Sequence, residues 1–143
     1  MREHNGKTYV ENASHDMEEL LEIVSILRGP QGCPWDRAQT HETLKKCLQD
    51  ETEEVLQAID KKDDNNLCEE LGDVLLQVLV NCEIARERGA FGFSDVVQML
   101  SEKLIRRHPH VFGDVPMPES DEEALALWRA VKQEEKRRRG ESK

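Results

Sequence analysis

The sequence contains no apolar run long enough to cross a lipid bilayer, and its first residues lack the apolar segment of a secretory signal. None of its four cysteines belongs to a Cys-x-x-Cys pair, which disfavours a zinc ribbon. No stretch alternates apolar and polar residues as a strand does, and no internal repeat is visible. These absences predict a cytoplasmic single-domain protein without a sheet, whose thiols are reduced and buried.

Basic residues are in the minority. The 143 residues include 20 Lys and Arg against 30 Asp and Glu, which gives a formal net charge of −10. This balance argues against general binding to nucleic-acid polymers or to membranes. Charged residues make up 35% of the chain and apolar residues 37%, and the apolar ones recur at helical spacing. We therefore expect a folded helical protein rather than a disordered one.

Helical periodicity and capping signals predict an all-α fold of about five helices. We expect residues 1–14 to be polar and frayed, residues 15–138 to form the domain, and residues 139–143 to form a polar tail. Glycines and prolines between residues 29 and 36 predict an irregular loop. The helices are expected over 15–28, over 41–60 after Thr40, over 67–88 after Asn66, from Ser94 to just before Pro109, and over 121–138 after Ser120.

The second predicted helix places acidic residues at its apolar stripe. Leu44, Leu48 and Val55 share one face at 100° per residue. Glu51 falls inside this stripe and Glu54 falls on its edge. Two carboxylates one turn apart are therefore directed at or beside the core.

The third predicted helix repeats this arrangement. Apolar residues occupy most of its circumference, and only a narrow polar strip remains, made of Glu70, Asp73, Gln77 and Asn81. Glu70 and Asp73 are again one turn apart. Because so much of the helix is apolar, we expect Leu76, Leu79 and Val80 to form a face that is buried against a partner subunit.

Four carboxylates near a core need compensation, since burial of an unpaired charge costs several kcal/mol. Pairing with Lys or Arg is the ordinary outcome for one such pair, but two pairs on neighbouring helices favour a shared cation. All-oxygen ligands suit Mg²⁺ or Mn²⁺. A di-iron site is excluded because no histidine follows a glutamate by three residues. Magnesium held by carboxylates commonly completes its shell with water and phosphate oxygens, so a phosphate ester or anhydride is the implied ligand.

A cationic cluster ends the fourth predicted helix. Lys103, Arg106 and Arg107 stand out because the rest of the chain is acidic. Favourable charge at a helix C-terminus explains any one of them without a ligand, whereas phosphate binding would use them together. The basic run at residues 136–139 is interpreted as a solvated helix end.

Several segments of the sequence resemble the motifs of a known family. The segment from Leu27 to Asp36 (LRGPQGCPWD) followed by Gln39-Thr40-His41 resembles the opening of MazG-type nucleoside triphosphate pyrophosphohydrolases. The family's EExxE and ExxD signatures correspond to Asp50–Glu54 and Glu70–Asp73. The run KLIRRHPHVF and the last helix are also similar to the family, so the likeness covers about residues 15–135. Many members carry two such domains in tandem, and this chain is most similar to the amino-terminal one.

The resemblance implies an all-α dimer or dimer of dimers that cleaves an NTP or dNTP to the monophosphate and pyrophosphate with Mg²⁺. It assigns Glu51, Glu54, Glu70 and Asp73 to the metal, and the same four acids emerge from the helical periodicity alone. It further implies phosphate contacts by Lys103, Arg106 and Arg107 and an aromatic contact of Trp128 with the nucleotide.

Two other functions remain open at this stage. The chain could be a helical module that binds nucleotides or a protein without turnover, although the intact acidic motif argues against this. It could also be a related all-α pyrophosphatase with a narrower substrate, such as dCTP or phosphoribosyl-ATP.

Overall fold

The computed structural model of the protein describes residues 1–140 and divides into two compact units. Unit 1 comprises Met1–Phe93, and unit 2 begins at Ser94. Within the described residues the chain forms seven helices and one small sheet, which confirms the expected all-α fold. The elements are β1 (Glu3–His4), β2 (Lys7–Thr8), α1 (Met17–Leu27), α2 (Pro34–Arg37), α3 (Leu44–Lys61), α4 (Asp64–Glu87), α5 (Phe93–Arg107), α6 (Pro109–Phe112) and α7 (Asp121–Arg138).

The core of unit 1 is built from apolar side chains of α1, α3 and α4. Val24 and Leu79 are 2% and 1% exposed and cluster with Leu44, Val80 and Ile84. The expectation that Leu79 and Val80 face a partner subunit is therefore wrong. A helix that is apolar on two sides does not reveal from its sequence which side its own chain covers.

The start of α4 also differs from the prediction. Asp63, rather than Asn66, is the N-cap, and its carboxylate accepts a hydrogen bond of 3.1 Å from the Asn66 backbone N–H. Aspartate is as good an N-cap as asparagine, so the helix begins three residues earlier than expected, at Asp64. At the other end, Gly89 has a φ of +74° and ends the helix, with the Ala90 N–H donating to the Ala85 carbonyl.

The loop between α1 and α3 is more regular than its glycines and prolines suggested. Pro34 occupies the first turn of the short helix α2, where its missing N–H costs no hydrogen bond. Gly32 lies so close to the α1 carbonyls that a Cβ there would be 2.2 Å from the Leu27 oxygen. The largely buried Arg28 side chain donates to the Asp36 and Gln39 carbonyls and to both oxygens of Glu87.

The amino-terminal segment, expected to be frayed and without a sheet, contains a two-stranded antiparallel hairpin. Glu3 pairs with Thr8 and His4 with Lys7 across a turn whose residues Asn5 and Gly6 have positive φ. An Asn-Gly pair between short polar strands is a strong local hairpin signal that the helical analysis did not weigh. The hairpin is tied to α1 because the Lys7 Nζ lies 2.8 Å from the Glu19 carboxylate.

Unit 2 contains α6, α7 and all of α5 after Phe93. The bounds of α7 agree with the prediction, since Ser120 accepts from the Glu123 N–H at 3.1 Å and Glu123 accepts from the Glu119 N–H. The predicted tail falls outside the described residues from position 141 onward.

The cysteines are free thiols, and their burial is uneven. Cys82 is buried, whereas Cys68 is exposed, so burial of all four is not observed. Within residues 1–140, none of the helices combines the length and the apolar character that crossing a membrane requires.

Candidate metal and phosphate sites

A helical hairpin in unit 1 positions the acidic residues. Lys62, in the left-handed conformation, and the cap residue Asp63 link α3 to α4, and the two helices pack against each other. Residues one turn apart on a helix share a face. Acidic residues near the middle of α3 can therefore meet those in the first turns of α4.

Three of the four predicted acids come together. Glu51, Glu70 and Asp73 each offer a carboxylate oxygen, and these oxygens all lie within 4.8 Å of one another. Glu70 is only 8% exposed, and the other two are half-buried. Glu54 is exposed and lies outside this group of three, although its charge acts on Glu70. We refer to Glu51, Glu70 and Asp73 as the acidic cluster.

The electrostatics of the acidic cluster are unfavourable. Desolvation raises the pKa of Glu70, and the charges of Glu54 and Asp73 raise it further. The pKa of Glu51 is also raised, first by desolvation and then by Asp73. Within the described part of the chain, no Lys, Arg or His forms a salt bridge with these three acids. A cation bound among them would relieve both the repulsion and the cost of burial.

The donor chemistry of the acidic cluster fits a hard divalent cation. Its ligand atoms are all carboxylate oxygens, the type that Mg²⁺ and Mn²⁺ prefer, and the cluster contains no thiolate or imidazole that would favour zinc or copper. The structure therefore supports a metal site at the acidic cluster without identifying the metal.

The polar strip continues along α4 beyond the acids. Gln77 is 8% exposed, and its Oε1 has no hydrogen-bond partner within residues 1–140. Asn81 accepts a hydrogen bond of 2.7 Å from Nδ1 of His41, while Arg88 donates to His41 Nε2 at 3.2 Å. Sequence periodicity identified Gln77 and Asn81 but not His41, which precedes α3 instead of opening it as predicted.

The predicted cationic residues lie in unit 2 and have different surroundings. Lys103 is exposed. Arg106 and Arg107 both form salt bridges with Glu135 of α7, at 2.6 and 3.1 Å. Glu135 is 7% exposed, and its pKa is lowered to about 2 by hydrogen bonds from Arg107 and Arg106. Sequence analysis missed Glu135 because the surrounding charged run is typical of a solvated helix end.

Trp128 lies beside the same cations. The guanidinium of Arg107 is 5.4 Å and the Lys132 ammonium 4.8 Å from the ring centroid. Both distances are within the range of cation–π attraction. The indole is half-buried and lies beside cationic side chains rather than within an apolar core.

Comparison with known proteins identifies one family. Its sequence model, described as the MazG nucleotide pyrophosphohydrolase domain, matches residues 39–112. This range contains the acidic cluster, Glu54 and the three predicted phosphate residues of α5. Trp128 and Glu135 lie beyond it.

Individual relatives agree with this match. The nucleoside triphosphate pyrophosphohydrolase/pyrophosphatase MazG of Thermotoga maritima is 52% identical over 126 residues, which are 88% of this chain and 48% of the relative. A nucleoside triphosphate pyrophosphohydrolase of Escherichia coli is 45% identical over 85% of this chain and 46% of the relative. The chain thus spans about half the length of these curated relatives.

A solved structure shares the fold. The crystal structure of a mazG-related protein from Thermotoga maritima matches with a TM-score of 0.68 and 35% sequence identity. The match covers 82% of this chain and 99% of the other.

Proposed function

Because the chain belongs to the MazG nucleotide pyrophosphohydrolase family, we propose that it hydrolyses nucleoside triphosphates, NTP or dNTP, to the monophosphate and pyrophosphate. The observation that supports this most directly is the acidic cluster, whose three carboxylate oxygens lie within 4.8 Å of one another without a basic partner in residues 1–140. A buried group of like charges is costly unless it serves to bind a cation.

The proposal assigns Mg²⁺, with Mn²⁺ as a substitute, to the acidic cluster together with Glu54. When bound, the ion would supply Lewis acidity that neutralises phosphate charge and makes a nearby water more acidic. The carboxylates Glu51, Glu70 and Asp73 hold the ion. The raised pKa values of Glu51 and Glu70, and the lack of a salt bridge from any basic residue in residues 1–140, support this role.

The reaction is the attack of water on the α-phosphorus, with cleavage of its bond to the bridging oxygen and departure of pyrophosphate. Glu54 is exposed and lies outside the acidic cluster, so it is the least committed of the four metal-binding carboxylates and the one proposed to accept the proton of the attacking water. Lys103, Arg106 and Arg107 bind phosphate oxygens and stabilise their charge. Trp128 packs against the base.

We also propose that the protein acts as a homodimer or homotetramer. Several large apolar side chains of unit 1 remain exposed although they belong to the helices that carry the acids. Leu71 of α4 is 51% exposed, and Ile59 of α3 is 52% exposed. Further exposed residues on these two helices are Leu48, Leu56, Leu76 and Val78. A two-fold contact would bury such a surface, and light scattering of the active protein tests it, since an active monomer would contradict the assembly.

The function is tested by incubating the purified chain with each NTP and dNTP, with and without Mg²⁺, and by identifying the products. Monophosphate and pyrophosphate in equal amounts are expected, together with loss of activity in Glu51→Gln. Phosphoribosyl-ATP is included as a further substrate. Turnover of phosphoribosyl-ATP alone, or of dCTP alone, would indicate a related pyrophosphatase with a narrower substrate. Nucleotide binding without any turnover would instead indicate a non-catalytic module. The proposed compartment is the cytoplasm, where such substrates occur.

A further inference from the structure

Glu135 joins two neighbouring arginines that helical geometry would separate. Its Oε2 accepts from Nε of Arg106 at 2.6 Å, and its Oε1 accepts from Nη2 of Arg107 at 3.1 Å. Consecutive residues on a helix point about 100° apart and do not face each other. A single carboxylate from α7 therefore holds both guanidinium groups at the end of α5.

We propose that Glu135 is a positioning residue that keeps Arg106 and Arg107 together as a preformed binding site for a phosphoanhydride. This inference rests on the proposed function, which assigns the two arginines to the phosphates of the substrate. Glu135 acts through the arginines and does not itself contact the anion.

The pairing leaves donors available for a ligand. An arginine carries five N–H donors, and the bonds to Glu135 use Nε of Arg106 together with Nε and Nη2 of Arg107. The Arg106 side chain is 44% exposed and lines a cavity of about 590 Å³ within unit 2. Two guanidinium groups share one carboxylate, so Arg106, Arg107 and Glu135 together keep a net positive charge that attracts an anion.

The same carboxylate also acts on Trp128 through Arg107. Glu135 holds Arg107, whose guanidinium lies 5.4 Å from the Trp128 ring centroid. Displacement of Arg107 would therefore change the surroundings of the indole. The chain has two tryptophans, Trp35 and Trp128, so Trp35→Phe leaves Trp128 as a specific fluorescent reporter.

The neighbouring Glu134 provides a matched control. It also pairs with two arginines, since Arg137 Nη2 and Arg138 Nε lie 2.5 and 3.2 Å from its Oε1. However, its side chain is 42% exposed, and both partners belong to its own helix. Glu134 also lines the cavity beside Arg106, so Glu134→Gln removes the same charge from the same surroundings without freeing Arg106 or Arg107.

The test uses the full chain with Trp35→Phe, free of metal in EDTA, and inorganic pyrophosphate as the probe. Trp128 emission and calorimetry measure its affinity. We expect Glu135→Gln to weaken pyrophosphate binding about tenfold, to abolish the emission change and to raise KM more than it lowers kcat. Glu134→Gln should bind pyrophosphate at least as tightly as the parent, because it removes a carboxylate from the same cavity and leaves Arg106 and Arg107 in place.

Glu135→Asp keeps the charge on a shorter side chain and should bind with intermediate affinity; it decides the question if Glu135→Gln does not fold. Parental or tighter pyrophosphate binding in the folded Glu135 variants would overturn the proposal, as would absence of binding in the parent. Lack of nucleotide hydrolysis by a parent that binds pyrophosphate would instead contradict the proposed function alone.

Discussion

Glu70 in unit 1 and Glu135 in unit 2 are almost equally buried, at 8% and 7% exposure, yet their pKa values move in opposite directions. The pKa of Glu70 is raised first by desolvation and then by the charges of neighbouring carboxylates. That of Glu135 is lowered to about 2 because two arginines donate to it. Burial alone therefore does not decide the role of an acidic residue. Paired cations favour the charged form of a buried carboxylate, whereas a carboxylate without them is destabilised in that form and would be relieved by a bound cation.

The largest expected effect is loss of activity in Glu70→Gln. Removing a ligand of the proposed cation should lower the rate of NTP hydrolysis by at least about a hundredfold. The metal-free variant should be as stable as the wild type or more stable, because a repulsive charge has been removed. Initial rates with Mg²⁺ and thermal melting in EDTA measure the two effects. A wild-type rate in Glu70→Gln would exclude Glu70 from the metal site, and the proposed difference in role between Glu70 and Glu135 would then be wrong.

Addition of Mg²⁺ should stabilise the wild type and Glu135→Gln, but not Glu70→Gln. A ligand at a hundred times its Kd raises the free energy of unfolding by about 2.7 kcal/mol. Thermal melting with increasing Mg²⁺ measures this rise. Equal stabilisation of all three proteins would show that the ion binds away from the acidic cluster.

The two adjacent glutamates of α7 should differ in their effect on stability. Glu135→Gln should lower the free energy of unfolding by about 1–3 kcal/mol, because it weakens buried charge-assisted hydrogen bonds to two arginines. Glu134→Gln should change stability little, because its ion pairs are exposed and screened by solvent. Urea denaturation of both variants measures these changes. Equal decreases in the free energy of unfolding would show that Glu135 contributes no more to stability than Glu134.

The smallest expected effect is a difference in pH dependence. Because the folded pKa of Glu135, about 2, lies below its ordinary value of 4.5, its stabilisation is complete above 4.5 and is lost as the pH falls toward 2. The pKa of Glu70 is raised in the folded protein. Ionisation of Glu70 therefore lowers the stability as the pH rises from the ordinary glutamate pKa through the raised pKa. Urea midpoints between about pH 2 and 8 in EDTA should show a flatter acid limb in Glu135→Gln and a flatter upper limb in Glu70→Gln. Parallel profiles would contradict this assignment.

Sequence patterns predicted the acids better than their surroundings. Glu51 and Glu70 were found because they interrupt apolar helical faces, which is a local signal. The burial of Leu79 was assigned to the wrong contact because α4 is apolar on two sides. Glu135 could not be found because its partners lie 28 and 29 residues away and only tertiary packing brings them together. Local spacing also accounts for the correct bounds of α7, since Ser120 and Glu123 form the predicted cap.

Arg28 has a consequence for the order in which unit 1 opens. Its buried guanidinium binds the Asp36 and Gln39 carbonyls and, through two further bonds, the Glu87 carboxylate at the end of α4. If the loop that contains α2 separated from α4, the buried guanidinium would lose hydrogen-bond partners. Local unfolding of either segment alone therefore has a high free-energy cost. In native-state hydrogen exchange, the amides of α2 and of the last turn of α4 should become exposed in the same cooperative event, and Arg28→Lys should uncouple them.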